Sequence, residues 1–211
     1  VSRGLGDVYK RQALAQAGGL DLAYASDLAT DAMAALGLSM NQLSNFSDQM
    51  AVTAQKSNTS VGQLGEAILT VGGTAKNLKG GTAELNAELG ILANRGIKGA
   101  EGGTHLRNVI LSLTNPTDKA AAQLEKLGVS VFDSSGNMRS MNDIMMDLNR
   151  SMDGITAEQK QNIISTIFNK TDLAAVTALL DGCGDEFYEL IGYIDDSEGA
   201  AQQMADTCLL Y

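Results

Sequence analysis

After Ser60 the apolar residues fall at Val61, Leu64, Ile68, Val71, Ala75 and Leu78, in steps of three and four. A strand would alternate at every second residue, whereas these steps place all six side chains on one face of a helix. Shorter stripes repeat the pattern: Leu43, Phe46, Met50 and Ala54; Leu106, Val109, Ile110 and Leu113; Met141, Ile144, Met145, Leu148 and Met152; Phe187, Leu190, Ile191 and Ile194. Each predicts a helix with one buried side, and the methionines among Met138–Met152 are expected in the core. Composition agrees, since only 4% of residues are aromatic and there is one proline. The expected fold is mainly α, a multi-helix bundle of short amphipathic helices.

Start and stop signals cut the pattern into pieces. Ser39 with Gln42, Ser60 with Gln63 and Thr156 with Gln159 have the spacing of capping boxes. Asn115 before Pro116 suits an N-cap with proline at the first helical position, and Thr171-Asp172 opens another apolar run. Gly37, Gly80-Gly81, Gly96, Gly128, Gly154 and Gly182 each follow a periodic run as helix stops. One passage departs from the helical period: residues 129–139 alternate and turn through Asp133 to Gly136, which predicts one small β-hairpin resting on the helices at 117–127 and 141–153. Residues 99–103, Gly-Ala-Glu-Gly-Gly, read as a flexible joint.

The 211 residues carry 25 acidic and 15 basic side chains, a net charge of −10. Such a surface repels phosphate and argues against a specific nucleic-acid binder. Two cysteines, Cys183 and Cys208, and one histidine, His105, supply neither a disulfide framework nor a structural zinc set. No run of about 18 apolar residues predicts a membrane-spanning helix. Residues 1–12 resemble a translated sequencing adapter and residues 207–211 the start of its companion, so the expected helical domain is 13–206.

Candidate chemistry is sparse. His105 is a conceivable general base, since imidazole is the side chain most used for that role, but no sequence neighbour defines a triad. Cys183 lies between Gly182 and Gly184, with Asp181, Asp185 and Glu186 expected to raise its pKa and suppress the thiolate. Glu101 or Glu125 could serve as the acid of a cell-wall hydrolase only with a second carboxylate across a cleft, and the spacing indicates none. Gly62, Gly65, Gly72 and Gly73 suit close helix packing in water better than in a membrane. No glycine-rich stretch continues into a phosphate-binding loop. No catalytic, cofactor-binding or metal residue is therefore assigned.

Lys56–Ala67 (KSNTSVGQLGEA) and Leu89–Arg107 (LGILANRGIKGAEGGTHLR) resemble the core region of phage tail tape measure proteins of the lactococcal-phage type. The likeness continues through Leu124–Asp133, Gly136–Arg139 and Ile167–Asn169, covering about 20–182 in the family's order. It implies a non-enzymatic structural protein of the virion that acts in tail assembly and tail-length determination, and later in genome delivery. It would lie in the tail lumen after assembly in the host cytoplasm. The implied partners are the tail tube protein, tail assembly chaperones and tail-tip or baseplate proteins, with self-association in the lumen and membrane contact only during ejection. No cofactor is implied. Three other readings stay open on the residues alone: a membrane-active helical segment assisting envelope penetration, a cryptic cell-wall hydrolase module, and a helical adaptor unrelated to phages. A measuring rod needs long continuous helix, but stops recur here about every twenty residues, so a compact module attached to the rod is expected.

Overall fold

The structure is a computed structural model that describes residues 12–208. Residues 1–11 and 209–211, on which most of the two adapter resemblances fall, lie outside the described residues. Residues 12–18 are helical (α1). They are followed by α2 (Leu22–Leu36), α3 (Met40–Lys56), α4 (Val61–Val71), a 3-10 turn (Gly72–Asn77), α5 (Gly81–Asn94) and α6 (Gly99–Thr114). The chain continues with α7 (Asp118–Leu127), α8 (Met141–Ser151), α9 (Ala157–Ile167), a 3-10 turn (Lys170–Asp172), α10 (Leu173–Gly182), α11 (Asp185–Asp195) and α12 (Ala200–Cys208).

The caps explain several of these boundaries. At Thr156 the box closes in both directions: its Oγ1 accepts from Gln159 N–H at 3.2 Å, and Gln159 Oε1 accepts from Thr156 N–H at 2.9 Å. At Ser60 the hydroxyl accepts from Gln63 N–H at 3.2 Å, while the Gln63 side chain takes Thr59 Oγ1 instead. At Ser39, Gln42 Oε1 accepts from the Ser39 N–H at 2.9 Å. Asn115 does not start a helix. It ends α6, because the residue before a proline is pushed out of helical backbone, and Thr117 caps α7 through Ala120 N–H.

All six residues of the stripe after Ser60 are buried, but the helix that carries them is shorter than the stripe. Gly72 adopts φ +57° and ends α4, and the 3-10 turn then carries Ala75 inward. The predicted β-hairpin is absent. Among the described residues there is no strand, only an isolated antiparallel bridge between Phe132 and Met138. Asp133 Oδ1 accepts from both Ser135 and Asn137 N–H, so a side-chain-locked turn consumes the backbone that a longer ladder would need. The expected joint at 99–103 is also corrected: it is the first turn of α6. Gly103 lets α6 lie directly on the α4 backbone at Ala67, where a Cβ would overlap the carbonyl oxygen. Gly182, expected as a left-handed stop, instead brings α10 against Ile91, whose Cγ2 lies 2.5 Å from where a Cβ would stand.

The centre of the fold is α5. Every residue from Glu84 to Ala93 is buried, and α3, α6, α10 and α11 pack around it. The outer helices form a shell: α12 lies on α3, α8 on α10, and α7 on α9. One continuous core includes Phe46, Met50, Ile68, Leu92, Ile110, Met141, Met145 and Leu179.

Candidate functional site

The helix at the centre carries polar groups where an apolar face is expected. Glu84, Asn86 and Glu88 are all at most 2% exposed. Glu84 is fully engaged: Oε2 accepts from Gly80 N–H at 2.7 Å, and Oε1 accepts from Ser140 Oγ at 2.8 Å and Met141 N–H at 2.6 Å. Among the described residues Glu88 Oε1 has no hydrogen-bond partner, and neither has Asn86 Oδ1. Burial, with the charge of Glu84 adding to it, holds the Glu88 carboxyl well above the usual range.

Asp48 plays the part of Glu84 elsewhere. From the buried face of α3 its carboxylate accepts from Gly199 N–H at 3.1 Å and Ala201 N–H at 2.9 Å, closing the N-terminus of α12. Arg95, just past α5, pairs with Glu186 on α11 at 2.9 Å, and Asn94 Nδ2 donates to the same carboxylate. Burial alone would raise Glu186, but the hydrogen bonds from Arg95 and Asn94 and the guanidinium charge outweigh it and lower the pKa.

His105 does have a partner, and it lies 67 residues away. Its Nδ1 stands 2.7 Å from Oδ1 of the buried Asp172, which also accepts from Asn108 Nδ2 at 3.1 Å. Asn169 Nδ2 reaches Asp172 Oδ2 at 3.3 Å. The other ring nitrogen faces Glu101 at 3.8 Å. Histidine beside a buried aspartate is half of a triad, but among the described residues no hydroxyl or thiol bonds to the Nε2 side of this ring. The cluster fastens α6 to the turn that starts α10. A groove of about 510 Å³ passes Asn108, Asn169 and Lys170, lined by amides and hydroxyls.

The other sequence candidates are scattered. Cys183 Sγ donates to Leu180 O at 3.0 Å and takes a contact from Asn149. Its thiol is raised chiefly by burial, with Glu88 and Asp181 adding to it, rather than by Asp185 and Glu186 as expected. Glu101 is exposed on α6, while Glu125 borders a separate apolar groove with Leu124, Val129 and Phe132. The two carboxylates share no contact. Gly65 lies against Leu28, so small residues on α4 serve packing within the chain. No group of three or more potential metal ligands is found among the described residues, and no described helix is long and apolar enough to cross a membrane. What stands out is a set of buried carboxylates aimed at helix N-termini rather than at a cleft.

The family model for "Phage-related minor tail protein" matches residues 10–169, and the chain belongs to that family. Among curated relatives it is 30% identical over 194 residues to the "Tape measure protein" of Pneumococcus phage Dp-1, covering 92% of this chain and 17% of that protein. It is also 30% identical over 148 residues to the "Probable tape measure protein" of Escherichia phage P2, covering 69% of this chain and 18% of that protein. The chain thus spans less than a fifth of the length of these relatives. No solved structure matches.

Proposed function

We propose that this chain is a compact helical module of a tail tape measure protein, acting in tail assembly and tail-length determination and later in genome delivery. The observation that carries the reading is geometric. Written as one helix, residues 12–208 would reach about 300 Å at 1.5 Å per residue. Folded around α5, a chain of this size has a radius of gyration of about 16 Å. The helices of α2–α12 run only 9–17 residues and share one core, so this segment adds little to a ruler's length. It acts as a knob on the rod, and its surface is available for tube, chaperone or tail-tip proteins, as the tape measure names of its relatives suggest. The module occupies 13–206, with the adapter-like ends outside it.

An in-frame deletion of residues 20–182 in a phage carrying this gene tests the reading by electron microscopy. A module needed for assembly gives capsids without tails. Tails shortened in proportion to the deleted residues would assign the segment to the measuring rod and reject the proposal.

A further inference from the structure

Two grooves meet at Phe132, which lines both. One, of about 450 Å³, is walled by the end of α6, by α7 and by the chain that follows it, and is lined by Pro116, Ala121, Leu124, Val129 and Val131. The other, of about 650 Å³, lies between the 3-10 turn after α4 and the locked turn at Asp133, and carries Lys76 and Lys79. Phe132 itself is 42% exposed. Its backbone is fixed on both sides: Arg139 N–H donates to Val131 O at 2.9 Å, Ser130 Oγ donates to Phe132 O at 2.7 Å, and Asp133 N–H donates to Asn137 O at 2.8 Å. The residue is thus positioned before anything binds, which spares a partner the cost of ordering it. The exposed tyrosines of α11 differ, because each is engaged within the chain. Tyr188 Oη reaches Met146 Sδ, and Tyr193 Oη donates to Glu189 while Lys56 stands over its ring. Among the described residues no ring or cation stacks on Phe132.

The charges sort across that ring. In a chain of net charge −10, Lys76 and Lys79 are both exposed, and among the described residues neither is paired with a carboxylate. The one acid in their groove, Asp133, turns Oδ1 onto the N–H groups of Ser135 and Asn137. On the other side of Phe132 the one charged side chain is Glu125. A ligand's carboxylates are drawn to the lysines and kept out of the apolar groove, so the surface has a polarity. A nucleic acid would meet the net negative charge of the rest of the surface.

We propose that Phe132 and its two grooves form a docking surface for a partner-protein segment in which carboxylates lie next to large apolar side chains. The carboxylates pair with Lys76 and Lys79, and the apolar side chains pack on Phe132 and into the groove over Leu124 and Val129. A rigid aromatic at the centre, with apolar and charged contacts on opposite sides, is the arrangement expected of a binding hot spot. The inference goes beyond the tail-assembly reading and stands on this surface alone.

The test is an NMR titration of the 15N-labelled chain with the blocked peptide acetyl-Asp-Glu-Phe-Leu-amide. One comparison peptide, acetyl-Lys-Lys-Phe-Leu-amide, keeps the apolar residues and reverses the charge. The other, acetyl-Asp-Glu-Ala-Ala-amide, keeps the charge and removes the anchors. The first peptide is expected to shift the amides of Lys79, Thr114, Val129 and Phe132 saturably, and each of the others to bind at least about fivefold more weakly. Phe132→Ala, and Lys76→Gln combined with Lys79→Gln, change exposed side chains, so the rest of the spectrum should stay as in wild type. Each variant should weaken the first peptide about tenfold, and the lysine variant should also reduce the salt dependence of Kd, which Phe132→Ala retains. Shifts confined to other surfaces, equal binding of the lysine peptide, or an unchanged Kd in either variant would overturn the proposal. If the same amides shifted with chain concentration in the absence of peptide, the surface would belong to a second copy of this chain, which overturns it equally.

Discussion

Glu84 Oε1 accepts the Met141 N–H at 2.6 Å across 57 residues of sequence, while the other oxygen of the same carboxylate holds Gly80 N–H at 2.7 Å. One buried acid thus closes the N-termini of two helices, α5 and α8. Each terminus carries about half a positive charge, so a carboxylate between them is compensated without a cation. Burying an acid is costly unless its oxygens are filled, and here they are. Glu88, one turn further along α5, has the same burial without the partners. The two residues show what separates a structural acid from a strained one.

Replacing Glu84 by alanine should therefore be among the more damaging single changes in the chain. It leaves the N–H groups of Gly80 and Met141 and the Ser140 hydroxyl without their acceptor. The expected loss is about 3 kcal/mol, from charge-assisted bonds broken in a buried site. Urea denaturation followed by circular dichroism measures it, and a loss within 0.5 kcal/mol, roughly the range of neutral surface changes, would contradict this assignment.

Glu88 makes stability depend on pH in a definite direction. Its folded pKa lies above its unfolded value, so the folded state holds a proton that the unfolded state releases. The stabilisation from that proton is complete below the unfolded carboxylate range and is lost as pH rises through the folded pKa. The slope is at most about 1.4 kcal/mol per pH unit for a single proton. Glu88→Gln, neutral at every pH, should flatten this decline between pH 5 and 8 (roughly the span above an ordinary carboxylate pKa). Equal slopes in chemical denaturation of both proteins would show that another group sets the dependence.

Asp48 governs a local event. It is the acceptor for Gly199 and Ala201 at the start of α12, and α12 rests mainly on α3. Asp48→Ala should cost about 1–2 kcal/mol as a lost cap. The cost should appear first as faster hydrogen exchange in Ala201–Ala205, with the amides of α4 and α6 still protected. Uniform loss of protection across the chain would mean that α12 does not open separately.

The helices were legible because their cause is local. Val61, Leu64, Ile68, Val71, Ala75 and Leu78 are all buried as the stripe required, and Thr156 with Gln159 caps as its spacing predicts. Errors arose where a neighbouring choice was nearly equivalent. Asn115 and Thr117 are both good caps, and Pro116 excludes helical backbone only at the first of them. Gly72 interrupts α4 through a backbone angle that its letter permits but does not demand. The hairpin failed because Asp133 binds its own turn so closely that pairing stops at one bridge. The polar sites were hidden for a different reason. Glu84 with Met141, Asp48 with Ala201 and His105 with Asp172 meet across 57, 153 and 67 residues, and no local period encodes such meetings. One trace was available: Glu84, Asn86 and Glu88 interrupt an otherwise apolar run at both helix faces, a sign of a helix enclosed on all sides.

Two glycine substitutions should move stability in opposite directions, and together they test the packing of α4 on α6. At Gly103 a Cβ would overlap the Ala67 carbonyl oxygen and stand 2.8 Å from the Ala67 Cα, so the crowded atoms are backbone and cannot rotate away. Gly103→Ala must separate the two helices, at about 1–3 kcal/mol. Gly192 lies within α11 with nothing inside 4 Å of a Cβ and an ordinary helical backbone. There alanine narrows the unfolded ensemble without strain, adding about 0.5–1 kcal/mol. For a domain of this size the melting temperatures should differ from wild type by roughly −2 to −12 °C and +1 to +4 °C respectively. If both variants moved the same way, helix propensity rather than contact would set the outcome, and the close crossing at Ala67 would not be the feature that fixes α6 in place.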